Sequence, residues 1–144
     1  MTMSPDANNV EVRIITDFND VIFRQAAVLF AGAGWIKSAD EGGFLQTALP
    51  GSFAVAGAFC NGVLIGIARA LSDGVSDAYI QDVTTLKEYR GRGIGSELVT
   101  CLVQNLRERG IDWIGLVGVP GTENFYASLG FEAQVGYTLW LRNH

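Results

Sequence analysis

Histidine occurs once in this chain, as the terminal His144, and cysteine twice, as Cys60 and Cys101. So few soft donors leave no residue set for a zinc site. Two cysteines in apolar segments do not make a disulfide framework, so a reducing compartment is expected. Proline is scarce as well, with 3 residues, and no apolar run approaches the ~18 residues that a membrane span needs. Basic residues are outnumbered: 10 Lys and Arg stand against 15 Asp and Glu, a formal charge of −5. That balance argues against a nucleic-acid backbone as main ligand. A small anion stays open, because clustered arginines and backbone N–H groups can outweigh the net charge locally. Met1–Asn9 lacks the basic start and apolar stretch of a signal peptide. The expectation is a disordered segment 1–9 ahead of one domain, 10–144, soluble and cytoplasmic.

What the chain has is apolar mass: 49% of its 144 residues are apolar and 17% charged, enough for one real core. Val10 to Ile15 alternates as a strand. Val21, Ile22, Gln25, Ala26, Leu29 and Phe30 recur at helical spacing after a cap at Asp17 or Asn19, with Gly32 and Gly34 as stops. A weaker helix is expected over Asp40–Leu49. Ser52–Cys60 and Val63–Leu71 form two β-prone runs joined by Asn61-Gly62, a strong hairpin signal. After Asp73-Gly74 a third strand runs from Asp77 to Leu86.

The period then changes. Ile94, Leu98, Cys101, Leu102 and Leu106 share one face of a helix from Gly93 to Arg109, and Asn105 falls unexplained within that stripe. Trp113–Val119 is expected as a strand, Thr122–Leu129 as a helix, and Phe131–Ala133 with Tyr137–Leu141 as a last strand pair. A meander followed by β-α-β implies an α/β sandwich: a mixed, mostly antiparallel central sheet flanked by helices.

Between the third meander strand and the long helix stands Arg90-Gly91-Arg92-Gly93-Ile94-Gly95-Ser96. Glycines there let backbone N–H groups converge on one point at a helix N-terminus, where the helix dipole favours an anion. Two arginines add charge suited to phosphate oxygens. The loop is therefore either a phosphate site or a plain connector. It lacks the lysine of a P-loop, and a dinucleotide fingerprint would place its last glycine at Ser96.

Arg90-x-x-Gly93-x-Gly95 entering a helix resembles motif A of the GNAT superfamily of N-acetyltransferases. Tyr79–Tyr89 is similar to the strand before that loop, and Asn124-Phe125-Tyr126-Ala127-Ser128-Leu129-Gly130-Phe131 to its closing signature. Element order matches over residues 10–142. Gly34-Trp35, Arg69–Asp73 and Gln81-Asp82-Val83 are similar to a subgroup that includes plant-type serotonin N-acetyltransferases.

The resemblance implies acetyl-CoA as co-substrate and no metal. It assigns the pantetheine arm to the main chain of Val83, Thr84 and Thr85, and the pyrophosphate to Arg90, Gly91, Arg92, Gly93, Ile94, Gly95 and Ser96. Asn124 joins the cofactor set. Tyr126 becomes the proton donor to the departing thiolate; read on its own, it equally packs with Phe125, Leu129 and Phe131. Two departures stand out: Lys87 replaces a usual proline, and Pro120-Gly121 stands where an asparagine often holds the cofactor.

The residues themselves offer Asp82, and second to it Asp73, as a base for the incoming amine. Trp35 and Tyr79 suit the walls of an acceptor pocket, while Trp113 and Trp140 are expected in the core. Arg69, a charge in an apolar strand, needs a partner, and Asp73 or Asp82 would serve. The acceptor set is thus Trp35, Arg69, Asp73 and Tyr79. The expected function is transfer of acetyl from acetyl-CoA to a primary amine of a small molecule or peptide, by direct attack in a ternary complex. The alternative is a non-catalytic acyl-CoA-binding module. A homodimer is expected, and neither nucleic acid nor membrane as partner.

Overall fold

The structure, a computed structural model, describes residues 9–142. Apart from Asn9, the segment expected to be disordered lies outside the described residues, as does His144. One sheet organises the rest: β1 (Val10–Ile14), β2 (Ala54–Cys60), β3 (Val63–Ser72), β4 (Asp77–Thr85) and β5 (Trp113–Leu116) lie side by side in chain order. The first four pair antiparallel, and β5 joins β4 in parallel. The Asn61-Gly62 turn forms as expected, with φ of 51° and 81° at its two residues, the left-handed pair a two-residue hairpin needs.

Alternation along the strands builds two cores, one on each face. Val55, Phe59, Leu64 and Ile67 meet α1 (Asp20–Gly32), whose first turn Asn19 caps by accepting from Ile22 N at 2.9 Å. On the other face Ala54, Ala56, Ala58, Ala68 and Ala70 form a floor of small side chains. Against that floor α3 (Ile94–Glu108) lays Leu98, Val99, Leu102 and Leu106, all fully buried. Each such leucine contributes about 1.5–3 kcal/mol by leaving water. Asn105 sits among them with its Oδ1 buried and without a hydrogen-bond partner among the described residues, which costs about 1–3 kcal/mol.

Three expectations need correction. The helix expected over Asp40–Leu49 is a 3₁₀ segment, Ala39–Phe44, followed by a single turn, α2 (Leu45–Ala48). Gly42 explains it: the backbone there comes so close to α1 that an added Cβ would lie 2.5 Å from that of Ala27. The strand expected over Trp113–Val119 keeps only its first four residues. The pair at Phe131–Ala133 and Tyr137–Leu141 forms no ladder among the described residues, and residues 132–142 are exposed after α4 (Glu123–Ser128). Trp113 and Trp140 are consequently not core residues; they are 77% and 82% exposed. Among the described residues β5 is an edge strand, and no helix covers Trp113.

Candidate functional site

A fault in β4 organises the site. Arg69 pairs with Gln81 and Ile67 with Thr84, so Asp82 and Val83 together face the single residue Ala68. This is a β-bulge, and Asp82 takes φ of 60° in it, a left-handed conformation that costs a non-glycine residue about 1–2 kcal/mol. Arg69 offsets that cost. Its Nε donates to Asp82 Oδ2 at 2.6 Å, with the two side chains only 14% and 22% exposed, and such a charge-assisted bond contributes about 1.5–3 kcal/mol. Arg69 is itself anchored, donating to Ser52 Oγ at 3.2 Å, which in turn donates to Ala48 O at 2.7 Å. Of the two partners the sequence allowed for Arg69, the structure selects Asp82.

The bulge has two consequences. The ladder to β5 ends at Ile80–Leu116, so from Gln81 onward β4 has β3 on one side only and its main chain borders a gap. The bulge also shifts side-chain parity. Val83 packs with the core under α3, whereas Gln81 and Asp82 both turn to the α1 face, with Gln81 Nε2 3.4 Å from Asp82 Oδ2.

On the α3 side the gap leads to the glycine loop. Leu86 is extended (ψ 142°), a conformation that a following proline would also demand, so Lys87 fits the 3₁₀ turn Lys87–Tyr89 without changing its geometry. Arg90 folds back, its Nε donating to Thr85 O at 3.0 Å. Gly91 and Gly93 have φ of 78° and 83°. These signs, more than any crowding, require glycine: neither position has an atom within 4 Å of an added Cβ. Gly93 caps α3 with no side-chain hydrogen bond, and the first closed backbone bond is Glu97 N to Gly93 O at 3.1 Å. The N–H groups of Ile94, Gly95 and Ser96 thus project from the helix end beside two arginines, an arrangement that fits a pyrophosphate.

α4 closes the same side. Gly95 lies under Phe125, 3.5 Å from an added Cβ to the ring, and Gly118 lies under Tyr126, 3.4 Å from its ring carbons. Tyr126 stands edge-on to Phe125 and Phe131, with centroids 4.8 and 5.9 Å away. Burial pushes its phenol above the ordinary value of 10.0, so it stays protonated at neutral pH. Asn124 is exposed on α4. Pro120-Gly121 forms a turn in which Thr122 N donates to Val119 O at 3.1 Å.

On the α1 face no residue of β4 or β5 belongs to the core under the helix. A cleft of about 510 Å³ lies there, lined by Leu71, Asp73, Asp77, Tyr79, Trp113 and Gly115 among others. Both Asp73 oxygens serve the turn, accepting from Val75 N, Ser76 N and Ser76 Oγ at 2.8 Å. Those bonds, the Ser76 backbone first, hold its carboxyl below the ordinary 3.8 and weaken it as a base. Trp35 does not line this cleft; it stands edge-on to Phe30 at 5.0 Å. Sequence reasoning missed Trp113 and Asp77, whose place in the cleft follows only from the parallel register Asp77–Trp113.

The model of the acetyltransferase (GNAT) family matches residues 25–131, more than half of the chain. The chain belongs to this family. Among GNAT relatives, an uncharacterized N-acetyltransferase ycf52 of the alga Gracilaria tenuistipitata var. liui is 31% identical over 125 residues, 83% of this chain and 68% of that protein. The GCN5-related N-acetyltransferase 2, chloroplastic, of Arabidopsis thaliana is 47% identical over 70 residues, 49% of this chain and 27% of its own length. The match thus covers only about a quarter of that longer relative. The same GNAT fold recurs in the solved aminoglycoside N-acetyltransferase AAC(6')-Iy in complex with CoA, at TM-score 0.72 and 16% identity, covering 94% of this chain and 95% of that one.

Proposed function

We propose that the chain transfers the acetyl group of acetyl-CoA to a primary amine of a small molecule or peptide, by direct attack in a ternary complex. The observation that carries this reading is the gap at the β4 bulge, where Val83 turns to the α3 face and Asp82 to the α1 face. Toward α3 it presents the main chain of Val83, Thr84 and Thr85, the uncapped helix end from Arg90 to Ser96, and Tyr126; Asn124 borders this side. Toward α1 it presents Asp82, about 10 Å along β4 from Tyr79, where the open cleft begins. Two substrates can therefore meet through the sheet without sharing a binding surface, which favours positioning as a large part of the rate.

Acetyl-CoA supplies an activated acyl thioester. The chain's own residues hold and orient it and move protons. As the amine nitrogen bonds to the carbonyl carbon and the carbon–sulfur bond breaks, Tyr126 Oη gives its proton to the leaving sulfur. The ammonium proton passes to Asp82, whose Oδ2 is occupied by Arg69 and Gln81, so that Oδ1 is the accepting atom. A homodimer belongs to this reading. It is supported by the unpaired outer edge of β5 and by the exposed apolar side chains of Val135, Tyr137, Leu139, Trp140 and Leu141.

Calorimetric titration with acetyl-CoA, then with desulfo-CoA, followed by thiol-release assays on an amine panel tests the proposal. Micromolar binding and amine-dependent thiol release are expected. Binding without release from any amine leaves a non-catalytic acyl-CoA-binding module; no binding removes the reading of the loop.

A further inference from the structure

The cleft on the α1 face has a composition that sorts acceptors. Tyr79 stands next to Gly115 across the β4–β5 ladder, and Trp113 next to Asp77. The two aromatic positions are therefore diagonal neighbours, about 8 Å apart at the backbone from a strand spacing of about 4.8 Å and a rise of about 3.3 Å per residue. Their rings do not stack on one another, and the residue between them on this face, Gly115, has nothing within 4 Å of an added Cβ. The result is a slot with an aromatic group at each side and bare backbone as floor. Leu71, paired with Tyr79 on β3, extends the apolar wall.

Charge at the rim is of one sign. Asp73 and Asp77 line the cleft and no lysine or arginine does. Asp73 is committed to its turn, while Asp77 shares the single Ser76 hydroxyl proton with it, Oδ1 lying 2.9 Å from Ser76 Oγ, and remains exposed. An aromatic pair with a carboxylate beside it attracts a cation even where solvent reaches it, tryptophan being the strongest ring for this purpose. The slot is also in line with the bulge: Tyr79 and Asp82 are three residues apart on β4, about 10 Å at strand rise.

We propose that this slot binds a second positive centre of the acceptor, so that the substrate class is an extended amine with two cationic groups about 13 Å apart, four residues of strand from Asp82 to the level midway between Tyr79 and Asp77. The reacting nitrogen lies at Asp82 and the distal one between Tyr79 and Trp113, beside Asp77. The assignment rests on the acetyl-transfer reading for the reacting end, whereas the slot's affinity for a cation stands on its own.

Two measurements separate these. Calorimetric titration with tetraethylammonium, which cannot be acetylated, reads the slot directly. Saturable binding to the wild type, weakened about threefold in Trp113→Leu and in Asp77→Asn, is expected; equal binding to all three proteins overturns the proposal. Trp113 is 77% exposed, so both variants should keep the wild-type melting temperature. Thiol release with acetyl-CoA is then compared for linear monoamines and diamines of matched length. A diamine preference of tenfold or more in kcat/KM, reduced about threefold by Trp113→Leu, is expected. Equal use of monoamines and diamines overturns the substrate class. Absence of turnover with tetraethylammonium binding intact overturns the acetyl-transfer reading and with it the acceptor class, leaving a cation site. Finally, a wild type that ignores tetraethylammonium but sediments as a dimer, split by Trp113→Leu, makes this face an interface between copies and removes the proposal.

Discussion

The two faces of the sheet at the β4 bulge are built from different materials. Toward α3 the site is mostly backbone: positive-φ glycines, the open N–H groups of one helix, and β4 main chain that has lost its partner, with Tyr126 as the main reactive side chain. Toward α1 it is mostly side chains: Arg69 and Asp82 locked together, Gln81 beside them, then Tyr79, Trp113 and Asp77 around a glycine floor. A backbone-built face suits a ligand whose recognised part never changes. A side-chain-built face can be altered residue by residue with the frame intact, and acceptor choice belongs there.

That division is broken most severely at Gly93. A valine there must hold φ near 83°, which strains a β-branched residue and disrupts the helix entry. Acetyl-CoA affinity is expected to fall at least 100-fold by calorimetry, while tetraethylammonium still binds the opposite face; joint loss would show that the faces are not independent. Tyr126→Phe comes next. It removes only the transferable proton, so kcat should drop about 100-fold while the Kd for acetyl-CoA stays within threefold. Because burial raises the phenol above 10.0, the acid form persists through neutral pH. The wild-type rate should therefore decline only above about pH 10, and a decline centred near neutrality would assign it to another group.

The same contrast explains what could be read in advance. The meander, the long helix and the glycine loop rest on local signals: Asn61-Gly62, a 3.6-residue stripe, and the Gly91–Gly93–Gly95 spacing. Tyr126 came with a resemblance carried by contiguous residues. The α1 face depends on register between distant segments. That Arg69 meets Asp82, and that Trp113 lies beside Asp77, follows from pairings across β3, β4 and β5. The bulge that turns Asp82 toward Arg69 has no local marker, since Gln81-Asp82-Val83 reads as ordinary strand. Trp113 looked like core because apolar residues in strands usually are; the edge position of β5 reverses it. The Asp40–Leu49 helix failed for a similar non-local reason, the contact of Gly42 with Ala27.

A smaller effect is expected from the ion pair that fixes the bulge on the α1 face. Arg69→Met leaves the Asp82 carboxylate without its partner in a strained conformation and should destabilise the fold by about 1–3 kcal/mol. It should also raise the acceptor KM more than the acetyl-CoA Kd. Asp82→Asn is the informative companion. Asparagine tolerates left-handed φ and keeps an acceptor for Arg69, so the bulge should survive and acetyl-CoA binding with it. Loss of kcat alone in that variant supports Asp82 as the proton acceptor, whereas unchanged kcat restricts its role to holding the bulge.

The smallest effect tests whether either face depends on the core beneath it. Asn105 lies on α3 amid Leu98, Leu102 and Leu106, with Oδ1 buried and unpaired among the described residues. Leucine keeps the branched outline atom for atom, is bulkier and has no polar atom to desolvate, so Asn105→Leu should stabilise the protein by about 1 kcal/mol as α3 shifts to admit its methyl groups, read as a higher denaturant midpoint at unchanged slope. If the loop and the bulge alone set the two binding faces, acetyl-CoA and tetraethylammonium affinities should stay within twofold. Stabilisation accompanied by a change in either affinity would instead couple α3 packing to the site, and Asn105 would then be kept for what its unpaired oxygen does to the position of the helix. The first outcome separates fold stability from recognition in this chain, with the backbone face held by φ angles and the side-chain face by the Arg69–Asp82 pair.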